Sequence, residues 1–221
     1  MPDGREIWDE FQWEEFMKEQ DKKVDRYMEL FFRYQHDPDR DAIIAKEMGW
    51  HWLLESDEEK ETDAGSEEDS EEVEEGEEWK SALNVDEPEE IDLHSYKQLP
   101  VFQRSHEFAM RALEIVEQLP EDKRNESIVV DFISNAMIAS AKIAGGSGIG
   151  NSIEELGGNI AYCKRGLAAA NIAIASLYEM NERGIVSREL YLELTEDAAE
   201  VRNAIAIYVL DLREQFKRGI S

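Results

Sequence analysis

The chain has 221 residues, enough for one or two domains, and 42% of them are hydrophobic, which is typical of a protein with a folded core. The net charge of −28 is unevenly distributed, because residues 1–95 contain 34 acidic and 10 basic side chains while residues 96–221 contain 18 and 14. Such an acidic chain repels nucleic-acid phosphates and anionic membranes, and it favours cationic partners. Charge alone does not exclude a local basic patch on the nearly neutral second part.

The sequence also indicates where the protein works. It contains one cysteine, Cys163, so an intramolecular disulfide is excluded. The first residues lack the apolar stretch of a signal peptide. The longest uncharged run in the centre of the chain, residues 166–178, is shorter than the ~20 residues that span a bilayer. These features predict a soluble, cytoplasmic protein that does not use a membrane.

Residues 1–54 are predicted to form a helical hairpin rich in aromatic side chains. Apolar residues at helical spacing indicate a first helix over residues 5–35, and Asp39 is placed to cap a second helix that runs through Leu54. Ten of the twenty aromatic residues of the chain lie in this region. They either pack on each other or on the rest of the protein, or form an exposed face that binds a partner. The candidate docking residues are Trp8, Phe11, Trp50 and Trp52.

Residues 55–95 are predicted to be a disordered acidic linker. Between residues 55 and 78, fifteen acidic side chains are opposed by Lys60 alone. Such a segment repels itself and has little apolar surface to bury. It serves either as a solvated tether or as an acidic arm that occupies a basic surface, on this chain or on a partner.

Residues 96–221 are predicted to form four helices with short connections and no strand. The expected boundaries are an end near Leu119, a start at Ile128, a glycine-rich break at 145–150, a long helix over 152–181 and an end near Phe216. Ser152 with Glu155 has the spacing of a capping box, Gly184 fits a helix stop and Ser187 a helix start. The glycine segment lacks the lysine of a phosphate-binding loop, since Asn151 stands there, which favours a flexible break. Short loops predict an up-down-up-down four-helix bundle.

The same part of the chain resembles a known family. Residues 96–107, YKQLPVFQRSHE, resemble the opening of the four-helix-bundle proteins encoded in intervening sequences of 23S ribosomal RNA genes. Residues 119–124 resemble the turn of that family, residues 138–146 occupy the place of its central signature and residues 182–187 resemble its last corner. Over residues 138–146 the signature itself is altered. The resemblance covers roughly residues 96–216 and leaves the first 95 without a counterpart.

The resemblance implies an assembly and a partner. The accessory variability protein of diversity-generating retroelements has a similar bundle and is a homopentamer that binds nucleic acid and a reverse transcriptase. By resemblance, a ring-like homo-oligomer such as a pentamer is expected here. Nucleic-acid binding would need basic residues on the bundle, and these are sparse. The candidates for a nucleic-acid or anion patch are Arg104, Arg111, Lys142, Lys164 and Arg165.

A self-association surface is also predicted without the resemblance. Residues 166–177 are apolar nearly all the way round the helix, which indicates burial on more than one side. In a small bundle each helix normally leaves one face in water, so the additional apolar face predicts contact between subunits. The candidate interface residues are Leu167, Ala170, Ile174 and Leu177.

The sequence offers no catalytic or metal-binding constellation. None of the four histidines has a glutamate three residues before it, so a di-metal bundle is not supported. We therefore predict a non-enzymatic, homo-oligomeric four-helix-bundle scaffold without a cofactor. Its acidic N-terminal arm is expected to bind a basic protein or to regulate access to the bundle. The alternative is a nucleic-acid-binding accessory protein like the family relatives.

Overall fold

The structure, a computed structural model, describes residues 7–50 and 95–219. Those residues form seven α-helices and one turn of 3-10 helix (Ser95–Gln98), and they contain no strand. The helices are α1 (Glu10–Tyr34), α2 (Arg40–Met48), α3 (Pro100–Gln118), α4 (Glu121–Arg124), α5 (Ser127–Ile149), α6 (Ile153–Glu182) and α7 (Arg188–Gly219). The all-α prediction is confirmed. The predicted disordered linker lies, apart from Ser95, outside the described residues, and so does Trp52.

Four long helices, α3, α5, α6 and α7, form the bundle with antiparallel neighbours. Arg104 of α3 pairs with Glu200 of α7. Two turns further along α3, Arg111 pairs with Glu193, which comes earlier in α7. The two helices therefore run in opposite directions. The same holds for α5 and α6, where positions early in one helix lie against positions late in the other.

The core is built from one stripe of each bundle helix. Large side chains that are fully buried come from α5, α6 and α7: Val129, Phe132, Ile143, Ile160, Leu177, Met180, Leu194, Ile205 and Leu212. Phe108 of α3 meets Phe132 edge-on, with ring centroids 6.3 Å apart. Each such side chain contributes about 1.5–3 kcal/mol of burial free energy, so the helices are held mainly by these stripes.

The predicted helix ends are largely confirmed. Ser152 and Glu155 form the capping box that begins α6, with the Ser152 N–H donating to Glu155 Oε2 at 3.1 Å. Gly184 follows α6 with a φ of 65°, the left-handed conformation that glycine adopts readily. Ser187 Oγ accepts a hydrogen bond from the Leu190 N–H at 3.2 Å at the start of α7.

The predicted glycine break is wrong in position. Helix α5 continues through Gly145, Gly146 and Gly148 to Ile149, and the chain turns at Gly150, whose φ is 125°. Gly146 lies so close to α6 that an added Cβ would be 2.7 Å from Asn159 Oδ1. Gly145 and Gly146 therefore allow two helices to approach closely, a role that their local sequence does not distinguish from helix breaking.

Helix α5 is apolar on the side that supplies the core and also at exposed positions such as Ile138. Among the described helices, it is the one whose length and composition would let it cross a membrane. The longest uncharged run in the sequence lies in α6 instead, because α5 is interrupted by the charged residues Asp131 and Lys142. Phe132 and Ile143 are fully buried in the bundle.

The described residues divide into two compact units. Residues 7–16 belong with residues 95–219, and residues 17–50 form the other unit. The domain boundary predicted after residue 54 lies outside the described residues and stays a prediction, while residues 7–16 group with the bundle. In the second unit Leu30 and Ile44 are buried, and Tyr27 stacks on Trp50 with ring centroids 6.0 Å apart.

The second helix of the hairpin is shorter than predicted. Helix α2 ends at Met48, because Gly49 adopts a left-handed φ of 74° and its N–H bonds back to Ala45 and Lys46. Asp39 is at the N-cap position, as predicted, but its side chain makes no capping hydrogen bond.

Candidate functional site

The most elaborate arrangement in the bundle unit is made by the N-terminal segment, residues 7–16, which begins α1. Its helix start is organised by its own side chains. Asp9 Oδ1 accepts hydrogen bonds from the N–H groups of Phe11 and Gln12 at 2.8 and 2.9 Å. Gln12 Oε1 accepts the Asp9 N–H at 3.0 Å in return. This reciprocal cap satisfies amide groups that a helix start leaves unpaired.

Two consecutive glycines of α6 receive the N-terminal segment. A Cβ added to Gly157 would lie 2.2 Å from the carbonyl oxygen of Trp8 and 2.8 Å from Cδ1 of Trp13. A Cβ on Gly158 would lie 3.1 Å from the Trp13 indole. The segment can therefore contact α6 this closely only because these positions have no side chain. Within the segment, the Trp8 and Trp13 rings meet edge-on with centroids 5.8 Å apart.

Glu10 is the most buried charged residue of this contact. Its two carboxylate oxygens accept hydrogen bonds from Arg213 Nε and Nη2 of α7 at 3.0 and 2.8 Å. Lys164 Nζ of α6 lies 3.7 Å from the same carboxylate. A two-pronged arginine–carboxylate pair fixes orientation as well as charge. The Glu10 side chain is 11% exposed and that of Arg213 38%, so water screens the arginine side of the pair.

A second acid follows one turn later in the segment. Glu14 accepts hydrogen bonds from Arg165 Nε and Nη2 at 3.0 and 3.3 Å. Between the two ion pairs, Lys164 Nζ lies 4.6 Å from the centre of the Phe11 ring, a cation–π distance. We name Gly157, Gly158, Lys164, Arg165 and Arg213 the docking site.

The described candidate partner-docking aromatics fall in different compact units. Trp8 is half-buried against the docking site, whereas Phe11 is 65% exposed. Trp50 is half-buried on Tyr27 in the other unit, and Trp52 lies outside the described residues. The described contacts of Trp8 and Phe11 thus lie in the first unit and those of Trp50 in the second.

The five candidate basic residues do not form one patch either. Arg104 pairs with Glu200, and Arg111 pairs with Glu193 and Asp197 across a groove of about 310 Å³ between α3 and α7. The hydrogen bond to Glu193 contributes most to raising the pKa of Arg111.

The other three candidates lie on α5 and α6. Lys142 Nζ is 4.8 Å from the centre of the Tyr162 ring. Lys164 and Arg165 contact the N-terminal segment. All five cations are thus engaged within the chain, most of them with acids.

The candidate self-association residues face the inside of the bundle. Leu177 and Ala170 are buried in the core, and Leu167 and Ile174 are half-buried and packed against it. Leu177 and Ala170 therefore leave almost no surface for a second copy, whereas Leu167 and Ile174 keep part of theirs, and the interface stays a prediction. A helix that is apolar all round gives no sign of which side faces inward, and the sequence-based choice took the inner side.

The outer side of the same helices is also apolar. Ile172 and Tyr178 of α6 are 49% and 57% exposed, and Ala168 and Ala175 between them are exposed as well. On α5, Val130, Met137 and Ile138 are exposed. We name these seven residues the outer face. Isolated exposed apolar residues are common, but a series along two neighbouring helices indicates an interaction surface.

A small polar cluster is buried where α5 meets α6. Asn159 donates from Nδ2 to the Gly150 carbonyl and to Asn151 Oδ1, both at 3.1 Å. The Cys163 thiol lies 3.3 Å from Asn159 Oδ1. Burial raises the pKa of Cys163 to about 12 and that of Tyr208, a neighbour of Asn159, to about 12. A thiol held neutral in this way is a poor nucleophile, so the cluster acts as a core polar network.

The described residues contain no group of three or more side chains that could together hold a metal ion. For residues 1–54, the sequence indicated only that aromatic side chains could pack on the rest of the protein, and an acidic arm on a basic surface was expected of residues 55–95. The signal that could have located the docking of the N-terminal segment is the pair Gly157 and Gly158 inside a helix otherwise rich in alanine and leucine. Adjacent glycines weaken a helix, so their presence there points to a close backbone contact.

Comparisons with known proteins give one finding. No protein-family profile matches this chain, and no curated protein does. A similar solved structure is the crystal structure of a protein of unknown function from the S23 ribosomal protein family of Bacteroides thetaiotaomicron VPI-5482. It is 17% identical, with a TM-score of 0.44, and the match covers 49% of this chain and 97% of that one.

Proposed function

We propose that this protein is a non-enzymatic, homo-oligomeric helical-bundle scaffold whose acidic N-terminal segment regulates access to basic residues of the bundle. Two described features support the proposal: the apolar outer face, and the ion pairs of the N-terminal segment with the docking site.

The outer face carries the self-association part of the proposal. Ile138 is 41% exposed and Ile172 49%. Between Ser127 and Ile149, only Asp131 and Lys142 are charged, and residues 166–178 carry no charge. Interfaces between identical subunits are depleted in charge and enriched in apolar residues at their centres. A second copy of this chain meets that requirement, because its own outer face is equally uncharged.

Light scattering over a range of protein concentrations tests this part. The wild-type chain is expected to form an oligomer, and Ile172→Arg is expected to lower its mass. The matched control is Ile207→Arg, which changes another isoleucine, 60% exposed, on α7. A wild-type chain that stays monomeric at every concentration contradicts self-association. A mass loss with Ile207→Arg alone would place the contact on α7 and overturn the outer face.

The regulatory part rests on charge. Glu10 and Glu14 occupy Arg213, Lys164 and Arg165, which are drawn from two bundle helices. An anionic partner of the bundle would meet these carboxylates before it met the cations. Regulation by the chain's own acidic segment then follows from mass action, since the segment and the partner compete for the same side chains.

The acidic stretch over residues 55–78, outside the described residues, is the proposed binding site for a basic protein. A pull-down compares the full chain with a variant in which these acids are replaced by the corresponding amides. Loss of a basic partner with the amide variant is expected. Capture of the same partner by both chains would remove the stretch from the account.

The second candidate function is that of a nucleic-acid-binding accessory protein, which the family resemblance implies. One observation favours it: release of the N-terminal segment would leave Lys164, Arg165 and Arg213 without Glu10 and Glu14. Gly157→Ala in the full chain places a Cβ against the Trp8 carbonyl and is expected to displace the segment.

A filter-binding titration with duplex DNA and with RNA at low salt discriminates the two functions. If the alternative holds, Gly157→Ala binds more tightly than the wild-type chain. The logarithm of its affinity should then fall with the logarithm of salt concentration with a slope of roughly −2 to −3, as expected for about three phosphate contacts. The control is Gly148→Ala, whose added methyl meets open space. Equal, negligible binding by all three chains ends this alternative.

We also propose that the protein works in the cytoplasm and not in a membrane. The support is that α5, the helix long enough to span a bilayer, contributes Phe132 and Ile143 to the bundle core. Cell fractionation is the test, and recovery of the chain in the detergent-dependent membrane pellet would contradict it.

A further inference from the structure

The docking site recognises one short, continuous piece of chain. All of its contacts described above are made by residues 8–14, and residues 17–94 separate that piece from the bundle in sequence. We propose that in the self-associated protein the N-terminal segment of one copy occupies the docking site of another copy, so that copies exchange their segments. This inference rests on the self-association proposed above and specifies how the copies are joined.

The contacts that begin the helix of the N-terminal segment come from within the segment. The reciprocal hydrogen bonds between Asp9 and Gln12 begin its helix without help from the bundle. The Trp8, Trp13 and Phe16 rings contact one another within the segment, with centroids 5.8–6.1 Å apart. A segment that carries its own local structure loses little conformational entropy on binding, whichever copy supplies it.

The contact between the N-terminal segment and the docking site is specific, but one of its buried polar groups has no hydrogen-bond partner among the described residues. The two carboxylates Glu10 and Glu14 face cations, and Gly157 admits the Trp8 backbone. However, the buried Nε1 N–H of Trp13 has no acceptor within the described part of the chain. A buried donor without a partner costs about 1–3 kcal/mol, so the docked state is weaker than its ion pairs alone suggest. Such a segment can leave the site and be replaced by an identical one.

The length of the intervening chain favours exchange. The connection between Phe16 and Ser95 has 78 residues, of which residues 17–50 form the second compact unit and residues 51–94 lie outside the described part of the chain. The effective concentration that a tether gives its own segment is at most on the order of mM for short linkers and falls as the linker lengthens. In an oligomer, a neighbouring segment is held at a comparable local concentration. The preference for a chain's own segment is therefore small.

The position of the docking site brings it close to the proposed contact between copies. Lys164 of the docking site and Ala168 of the outer face are four residues, about 6 Å, apart along α6. Two copies that meet through the outer face therefore place each docking site near the other copy. Exchange in both directions gives a closed, symmetric pair, the common form of homo-oligomers.

Charge reversal in the full chain tests the exchange. Glu10→Arg gives a segment that the wild-type site repels, and Arg213→Glu gives a site that the wild-type segment avoids. Each variant alone should lose the docked segment, seen as faster proteolysis before residue 17. When the two variants are mixed, exchange restores a complementary pair at both sites. The substituted segment of one variant then meets the substituted site of the other, and the unchanged segment meets the unchanged site.

The expected result is recovered resistance to proteolysis in a mixed oligomer, which native mass spectrometry detects with one variant carrying a tag. A mixed oligomer without recovered resistance shows contact through the outer face alone and overturns exchange. The folding control is one chain with both substitutions, which restores the pair within each copy. If the doubly substituted chain is protected but the mixture behaves as the sum of its two variants, the segment docks only within its own copy. That outcome overturns exchange and leaves self-association through the outer face untouched, because the latter is judged from the wild-type mass and from Ile172→Arg. Loss of protection in the doubly substituted chain and in the mixture alike would show that charge does not govern docking, which also overturns the proposal.

Discussion

The two halves of α6 have the same helical geometry and opposite surroundings on their outer side. In the first half, Gly157 lies under the Trp8 backbone and Ala161 is fully buried. In the second half, Ala168 and Ala175 are exposed, and Ile172 is 49% exposed. Both halves present small or apolar residues outward. The difference is that the first half has been given a partner from its own chain, whereas the second half has none among the described residues.

The comparison shows how residue size selects the neighbour. Glycine pairs admit a polypeptide backbone, while alanine and isoleucine at the same helical spacing form a shallow apolar surface that suits side chains of another helix. Charge reinforces the selection. Lys164 and Arg165 lie beside the first half of α6, which the N-terminal segment covers (the covered half), and no charged residue lies between residues 166 and 178. The following changes test this contrast.

The largest effect is expected where α5 packs against the inner side of the covered half of α6. Gly146→Leu introduces a side chain where even a Cβ would be 2.7 Å from Asn159 Oδ1 and 3.0 Å from the Asn159 carbonyl oxygen. We expect the free energy of unfolding to fall by about 3 kcal/mol, because α5 and α6 must separate. Denaturant titration measures it. Gly148→Leu, two residues further along the same helix, faces open space and should leave the stability equal or slightly higher.

A pair of identical substitutions two turns apart compares the outer sides directly. Ala161→Leu adds three carbon atoms at a fully buried position, whereas Ala168→Leu adds them at an exposed one. The first should lower the free energy of unfolding by about 2 kcal/mol or release the N-terminal segment. The second should be neutral. Tryptophan fluorescence together with thermal unfolding at low protein concentration distinguishes them, and equal effects would mean that the two halves are not different.

A smaller effect is expected from the ion pair that holds the covered half. Arg213→Ala leaves Glu10, whose side chain is 11% exposed, without its two-pronged partner. Because Arg213 itself is 38% exposed and Lys164 remains nearby, we expect a loss of only about 1 kcal/mol, confined to docking of the segment. Arg218→Ala is the control, since the Arg218–Glu214 pair is largely exposed and its loss should change nothing. Limited proteolysis before residue 17 is the measurement.

The smallest effect is expected in the second half of α6, whose outer side is exposed. Ile172→Gln removes an exposed apolar side chain and keeps a good helix former. The stability of the dilute chain should change by less than about 0.5 kcal/mol. Chemical denaturation at low and high protein concentration is the test. A large loss in the dilute chain would show that Ile172 already has a partner within its own chain.

The sequence predicted the four bundle helices and their ends well, because periodic apolar stripes and caps such as Ser152, Gly184 and Ser187 act locally. It could not decide what Gly145 and Gly146 do, since a helix break and a close helix contact require the same residue.

The candidate surfaces were harder still. Which side of residues 166–177 faces inward depends on three other helices, so Leu177 was assigned to an interface and is in the core. The contact between Glu10 and Arg213 joins residues 203 positions apart, a separation that no local pattern encodes.

The buried thiol of Cys163 can report local opening of the bundle. With a pKa of about 12, it is almost entirely protonated near neutral pH, and it lies behind Gly146 and Asn159. A thiol reagent can therefore modify it only when the helices packed around α6, such as α5 and α7, transiently separate from it. The rate at which the native protein is modified then measures how often these helices separate, and no reporter residue has to be introduced.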